Sequence, residues 1–103
     1  MLILEILGEG ARAAQFDARG EPCVVVGRGA DCNLVVDRLG VSRRHCMFQA
    51  TPHGWQLEDL GSSGGTVLNG ARLRSAVVVS PGDVVAIGGE TRIRVAQASP
   101  PGR

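Results

Sequence analysis

Lysine and tyrosine are absent from this 103-residue chain, and Phe16, Phe48 and Trp55 are its only aromatic residues. All 11 basic side chains are therefore arginines, set against 10 acidic ones for a formal net charge of +1. A chain so nearly neutral has no overall field to draw it onto nucleic acid or an anionic membrane, and its aromatics are not interleaved with basic residues. Any anion must be held locally. Apolar runs long enough to span a bilayer are missing too. The stretch from Met1 to Leu7 has no basic residue ahead of it and is interrupted by Glu5, which is unlike a signal peptide. Cysteine is scarce: Cys23, Cys32 and Cys46 are odd in number, with spacings that fit neither a disulfide framework nor a CxxC zinc site. Free thiols suit a reducing, cytoplasmic compartment, with Cys46 expected to act as a small buried hydrophobe. No metal or other cofactor is expected.

What is present is apolar residue in short pieces. The hydrophobic fraction of 44% suffices for one core in one domain. Arginine without lysine, beside much alanine and glycine, is the composition of a GC-rich bacterial genome. No segment has the periodicity of an amphipathic helix. Strands are expected at Leu2–Leu7, Ala13–Ala18, Cys23–Gly27, Asn33–Val36, His45–Thr51, Gln56–Asp59, Thr66–Leu68, Arg72–Leu73, Val77–Val79, Asp83–Ile87 and Thr91–Gln97. Turn signals separate them, among them Gly8-Glu9-Gly10, Pro52-His53-Gly54, Asn69-Gly70, Ser80-Pro81-Gly82-Asp83 and Gly88-Gly89. Frequent short strands predict an all-β sandwich of two mainly antiparallel sheets with about eleven strands. The folded domain is expected over residues 1–97, with 98–103 (Ala-Ser-Pro-Pro-Gly-Arg) a linker or disordered tail.

Three polar segments stand at predicted strand ends: Gly27-Arg28, Ser42-Arg43-Arg44-His45, and the turn-rich run from Asp59 to Gly70. Arg28 closes a β-branched strand and opens a glycine-rich loop, which delivers a planar fork of donors suited to phosphate oxygens. Ser42, fourteen positions later, offers a hydroxyl, and the backbone amides of Ser42 and Arg43 offer further donors. Gly61 to Gly65 adds more hydroxyls and amides. Loops at one end of a rigid β scaffold can converge on one ligand.

Gly27-Arg28, Ser42-x-x-His45 and Ser62-Ser63-Gly64-Gly65-Thr66-x-x-Asn69-Gly70 together resemble the forkhead-associated (FHA) domain, a phosphothreonine-recognising β-sandwich, over essentially the whole chain. The resemblance implies that Arg28, Ser42 and Ser63 hold the phosphate. It implies that Gly27, His45, Thr66, Asn69 and Gly70 support the site structurally. It further implies that the partner is a phosphothreonine-containing protein or peptide, the product of a Ser/Thr kinase. One position departs: the family reads Ser-x-Asn-Gly-Thr, and its asparagine, which bonds the peptide backbone, is here Gly64. Arg43 replaces the common asparagine after the serine and adds positive charge toward the ligand.

Other chemistries fit less well. Ser42 and His45 at i and i+3, with no orienting acid, make a poor catalytic triad, and Gly27 to Cys32 lacks the pattern of a nucleotide phosphate loop. No enzyme is expected. His53 reads as an exposed turn residue, Phe48 and Trp55 as packing. Gly64 motivates an alternative from a different class: an FHA-like assembly domain that docks a partner without phosphate, for example in a secretion or signalling complex.

Overall fold

The computed structural model describes residues 1–7 and 14–100. The expected turn at Gly8-Glu9-Gly10, the start of the second strand at Ala13, and residues 101–103 lie outside the described residues. Eleven strands are formed: β1 (Leu2–Leu7), β2 (Ala14–Asp17), β3 (Cys23–Gly27), β4 (Leu34–Val35), β5 (Cys46–Thr51), β6 (Gly54–Asp59), β7 (Thr66–Leu68), β8 (Ala71–Arg72), β9 (Val77–Val79), β10 (Val84–Ile87) and β11 (Thr91–Ala98). They build a six-stranded sheet in the order β2-β1-β11-β10-β7-β8 and a five-stranded sheet in the order β4-β3-β5-β6-β9. Every pairing is antiparallel except β3 with β4.

The period-two pattern of the strands decides which side chains face inward. Leu2 and Leu4 of β1, Val85 and Ile87 of β10, and Ile93 and Val95 of β11 meet Val24 and Val26 of β3, Phe48 of β5, and Trp55 and Leu57 of β6. Phe48 is fully buried and Trp55 nearly so, its indole N–H donating to the Ser99 carbonyl at 2.9 Å. Burial of such side chains is worth about 1.5–3 kcal/mol each, which makes this interior the main source of stability.

Several strand limits differ from the sequence expectation, each for a local reason. β6 begins at Gly54 rather than Gln56 because the Thr51 hydroxyl closes the turn, accepting from His53 N–H at 3.1 Å and donating to the Gly54 carbonyl at 2.9 Å. Asp83 belongs to a turn and not to β10: its carboxylate accepts from the Ser80 amide at 2.8 Å and from Asn69 Nδ2 at 3.0 Å. His45 precedes β5, its ring turned into the loops, although its amide still donates to the Val26 carbonyl at 2.8 Å. β8 is Ala71–Arg72, one residue early, and Leu73 follows it with its amide on the Thr66 carbonyl at 2.8 Å. β4 is trimmed to Leu34–Val35, because the Asn33 side chain turns to accept from the Val25 amide at 2.8 Å and Val36 bonds back to Gly27. β2 stops at Asp17, where Ala18 turns to bond the Leu2 carbonyl at 3.0 Å. β11 runs to Ala98, and Ser99 exchanges hydrogen bonds with Met1, so the paired chain extends past Gln97. The loops after β3, β4 and β6 meet through Arg28, Ser42 and Ser63, as the contacts below define.

Candidate functional site

The base of the site is a close approach of two backbones. The Arg28 amide donates to the Ser42 carbonyl at 2.9 Å and the Gly29 amide to the Arg43 carbonyl at 3.0 Å. Gly27 is required there: a Cβ on it would lie 2.2 Å from the Arg43 carbonyl oxygen and 2.9 Å from that of Ser42. No side chain fits at such distances. Cys32, buried beneath the same loop, donates its thiol to the Arg43 carbonyl at 3.1 Å. Arg28 is thereby set beside Ser42 with its guanidinium exposed, and it makes no ion pair among the described residues. Arg43 is exposed as well, whereas Arg44 stands 3.9 Å from Asp31 in a solvent-exposed pair of little energetic weight.

Ser42 then meets the third loop. Its hydroxyl accepts from the Ser63 amide at 3.2 Å, and the two hydroxyls stand 3.5 Å apart. Two hydroxyls from loops 21 residues apart are thus brought together. The brace behind them is His45, fully buried. Its Nδ1 accepts from the Ser42 amide at 3.1 Å and its Nε2 lies 2.8 Å from the Gly65 carbonyl. A carbonyl can only accept, so Nε2 carries the proton in this arrangement and the ring is the neutral Nε2–H tautomer.

The loop from Asp59 to Thr66 is organised by Asp59. Its carboxylate accepts from the Gly61 and Ser62 amides at 3.0 Å, from the Ser62 hydroxyl at 2.6 Å and from the buried Thr66 hydroxyl at 2.7 Å. The Ser62 hydroxyl in turn accepts from the Gly65 amide at 2.9 Å. Partial burial alone would push the Asp59 pKa up. The bonds from Ser62, Thr66 and Gly61 favour the charged form more strongly and hold it below its usual 3.8. Beneath this loop the Cys46 thiol is pushed up to about 12 by burial, with the nearby Asp59 charge adding to the rise, so it stays protonated and unreactive.

Asn69 and Gly70 are not drawn into this loop cluster. Both have positive φ, 51° and 87°, as the tight β7–β8 hairpin turn demands. The Asn69 side chain instead ties that turn to β10, accepting from the Val84 amide at 2.9 Å and donating to Asp83 at 3.0 Å. Gly64 is exposed, and a Cβ on it would come no closer than 3.6 Å to the Gly40 carbonyl oxygen. The shallow grooves near these loops include these two. One, about 500 Å³, is lined by Gly29, Ala30, Asp31, Arg43 and Arg44. The other, about 420 Å³, runs between Asp37, Arg38 and Leu39 and the Gly88–Thr91 segment, where the buried Thr91 hydroxyl has no partner. Among the described residues no three His, Cys, Asp or Glu side chains converge as metal ligands do, and no helix is long and apolar enough to cross a membrane.

The sequence profile of the FHA domain matches residues 24–88, from β3 through every loop just described. The chain belongs to the FHA domain family. FHA domains are interaction modules, and the two-sheet architecture is that of their solved structures. The FHA domain-containing protein FhaB of Mycolicibacterium smegmatis is 37% identical over 83 residues, a match that covers 81% of this chain. It covers 54% of FhaB, so the chain spans about half the length of that relative. A crystal structure of the FhaA FHA domain complexed with the intracellular domain of Rv3910 superposes with a TM-score of 0.77 at 29% identity, covering 92% of this chain and 99% of that one. An FHA domain solved in a study of phosphothreonine-dependent FHA domain interactions gives a TM-score of 0.76 at 27% identity, covering 94% of this chain and 97% of that one.

Two parts of this FHA domain's loop cluster were missed by sequence reasoning. Asp59 as a hub was signalled by its position before Gly61-Ser62, since an aspartate at a turn commonly bonds the amides that follow it. Arg72 was not signalled. The sequence places it simply in an expected strand, yet its guanidinium lies across Gly65, with Nε and Cζ 2.8 Å from where a Cβ would stand.

Proposed function

We propose that this FHA domain is a phosphothreonine-peptide recognition module, one that makes a protein–protein contact conditional on a Ser/Thr kinase in bacterial, cytoplasmic signalling. The observation that carries this reading is the meeting of Ser42 and Ser63, 3.2 Å apart from hydroxyl to amide, with the Arg28 backbone bonded to Ser42 and its exposed side chain in no ion pair among the described residues. Phosphorylation adds about −1.5 to −2 charges and three strong acceptor oxygens. Arg28 supplies the paired charge-assisted donors, and the Ser42 and Ser63 hydroxyls supply the others. Arg43 raises the local positive charge. On this reading these groups serve binding, with no bond made or broken. An extended ligand has grooves near the phosphate position, one lined by Arg43 and Arg44 and one by Asp37 to Leu39. The solved FHA domain from the study of phosphothreonine-dependent interactions shares this fold at 27% identity.

A second reading, a phosphate-independent assembly domain, is favoured by one observation: Gly64 presents no side-chain amide to a peptide backbone. A degenerate peptide library carrying a fixed phosphothreonine, screened beside its dephosphorylated copy, separates the two. The recognition reading expects capture from the phosphorylated library only. Equal capture from both would favour the assembly reading.

A further inference from the structure

The six-stranded sheet ends at the loop cluster in β8, and there Arg72 occupies an unusual place. Facing Val67 across the β7–β8 hairpin, it sends its guanidinium back over Gly65. Gly65 has φ +83°, and a Cβ on it would stand 2.8–2.9 Å from Cζ, Nε and Nη2 of Arg72. The absence of a side chain at 65 is thus what lets the cation lie against Gly65. The Gly65 carbonyl is taken by His45. Arg72 itself makes no side-chain hydrogen bond or ion pair among the described residues, in contrast to Arg94, which is 2.7 Å from Glu5, and Arg92, which is bonded to the Gly89 and Thr91 carbonyls. It is an exposed cation with unspent donors, packed on Gly65, the residue that follows Gly64 in the chain.

We infer that Arg72 is a second anion-reading residue of this site and that it selects a carboxylate side chain in the ligand, on the flank of the phosphothreonine that crosses Gly64–Gly65. The inference rests on the phosphopeptide reading of the site and adds a preference to it. A guanidinium fork matches a carboxylate in two parallel hydrogen bonds. Lying against the loop, it has already lost part of the rotamer freedom that binding would otherwise cost. Arg43 lines a groove on the Gly29–Asp31 side of the site. On this inference the loop offers no neutral side-chain amide at Gly64 but presents a cation at Arg72 to a ligand side chain.

The test is a fluorescence-anisotropy titration of the intact chain with labelled peptides that carry one phosphothreonine in an otherwise alanine-rich flank. A single Glu, or a single Lys, is moved through the four positions on either side. The wild type is expected to bind about three- to fivefold more tightly when Glu occupies one or two adjacent positions on one flank. Arg72→Gln is expected to remove that gain while leaving affinity for the all-alanine phosphopeptide within twofold. Arg72→Glu should transfer the gain to Lys at the same positions, an effect that a purely structural arginine would not produce. A Glu gain that survives in Arg72→Gln, no Glu gain in the wild type, or equal loss of every phosphopeptide in the variants would each overturn the inference while leaving phosphate recognition standing. Binding of none of the phosphopeptides over their unmodified copies would overturn both.

Discussion

His45 Nε2 and the Gly65 carbonyl oxygen lie 2.8 Å apart, in the buried space between the loop that carries Ser42 and the loop that carries Ser63. With Nδ1 on the Ser42 amide, one imidazole sets the spacing of both loops. His45→Ala strips a buried carbonyl and a backbone amide of their partner and leaves a cavity, a loss of about 2–4 kcal/mol. Urea denaturation should show the midpoint fall accordingly, and phosphopeptide affinity should drop more than tenfold, although residue 45 does not face the ligand. Unchanged affinity in a folded His45→Ala protein would remove His45 from its bracing role.

Gly27 has a steric task. An alanine there would put its methyl 2.2 Å from the Arg43 carbonyl oxygen, so the Ser42–Arg43 backbone must shift away. Such overpacking costs about 1–3 kcal/mol. Because Arg28 and Ser42 are registered by the same approach, Gly27→Ala should lower both thermal stability and peptide affinity, while Gly20→Ala, where nothing lies within 4 Å, should leave affinity unchanged.

Asp59 makes the loop acid-sensitive. Its folded pKa lies below 3.8 because hydrogen bonds outweigh burial, so its contribution to stability is fully present above 3.8 and is lost as the pH falls through the lower folded value. The melting temperature should therefore decline as the pH falls below 3.8. Asp59→Asn should start lower at neutral pH, having replaced an acceptor by a donor facing Gly61 and Ser62, and should decline less steeply. Parallel curves for the two proteins would assign the acid sensitivity elsewhere.

Gly64 is open to repair. A Cβ there meets only the Gly40 carbonyl at 3.6 Å, an ordinary contact, and no positive φ stands in the way. Gly64→Asn should restore one or two hydrogen bonds to the ligand backbone and tighten phosphopeptide binding by about three- to tenfold. Isothermal titration of the two proteins with one peptide measures this directly. Weaker binding by the variant would mean that the ligand does not pass over residue 64 as the family pattern implies.

The strands and the loop cluster were legible because each follows from a local rule. Ile93 and Val95 alternate with the less buried Arg92, Arg94 and Ala96, Asn69-Gly70 needs left-handed backbone, and Pro81-Gly82 fixes a turn. Strand ends were less legible, because they are set by side chains that bond their own turns: Thr51 closes the Pro52-His53 loop, and Asp83 is tied to Ser80 and Asn69. Ser42 and Ser63 were assigned to one site by resemblance, and their 3.5 Å hydroxyl separation depends on His45 and Asp59 acting from different loops. Arg72 was invisible for a related reason. Nothing in its own neighbourhood of sequence says that Gly65 will leave room for it.

Binding of threonine phosphate by Arg28 and Ser42 is the central proposal. Titration of the wild type and Arg28→Ala with matched phosphothreonine, phosphoserine and unmodified peptides tests it most directly. The wild type is predicted to bind the phosphothreonine peptide, to bind the phosphoserine peptide more weakly and the unmodified one not at all, and Arg28→Ala is predicted to lose the phosphothreonine peptide by more than tenfold. Equal binding of all three peptides, or undiminished binding by Arg28→Ala, would contradict it.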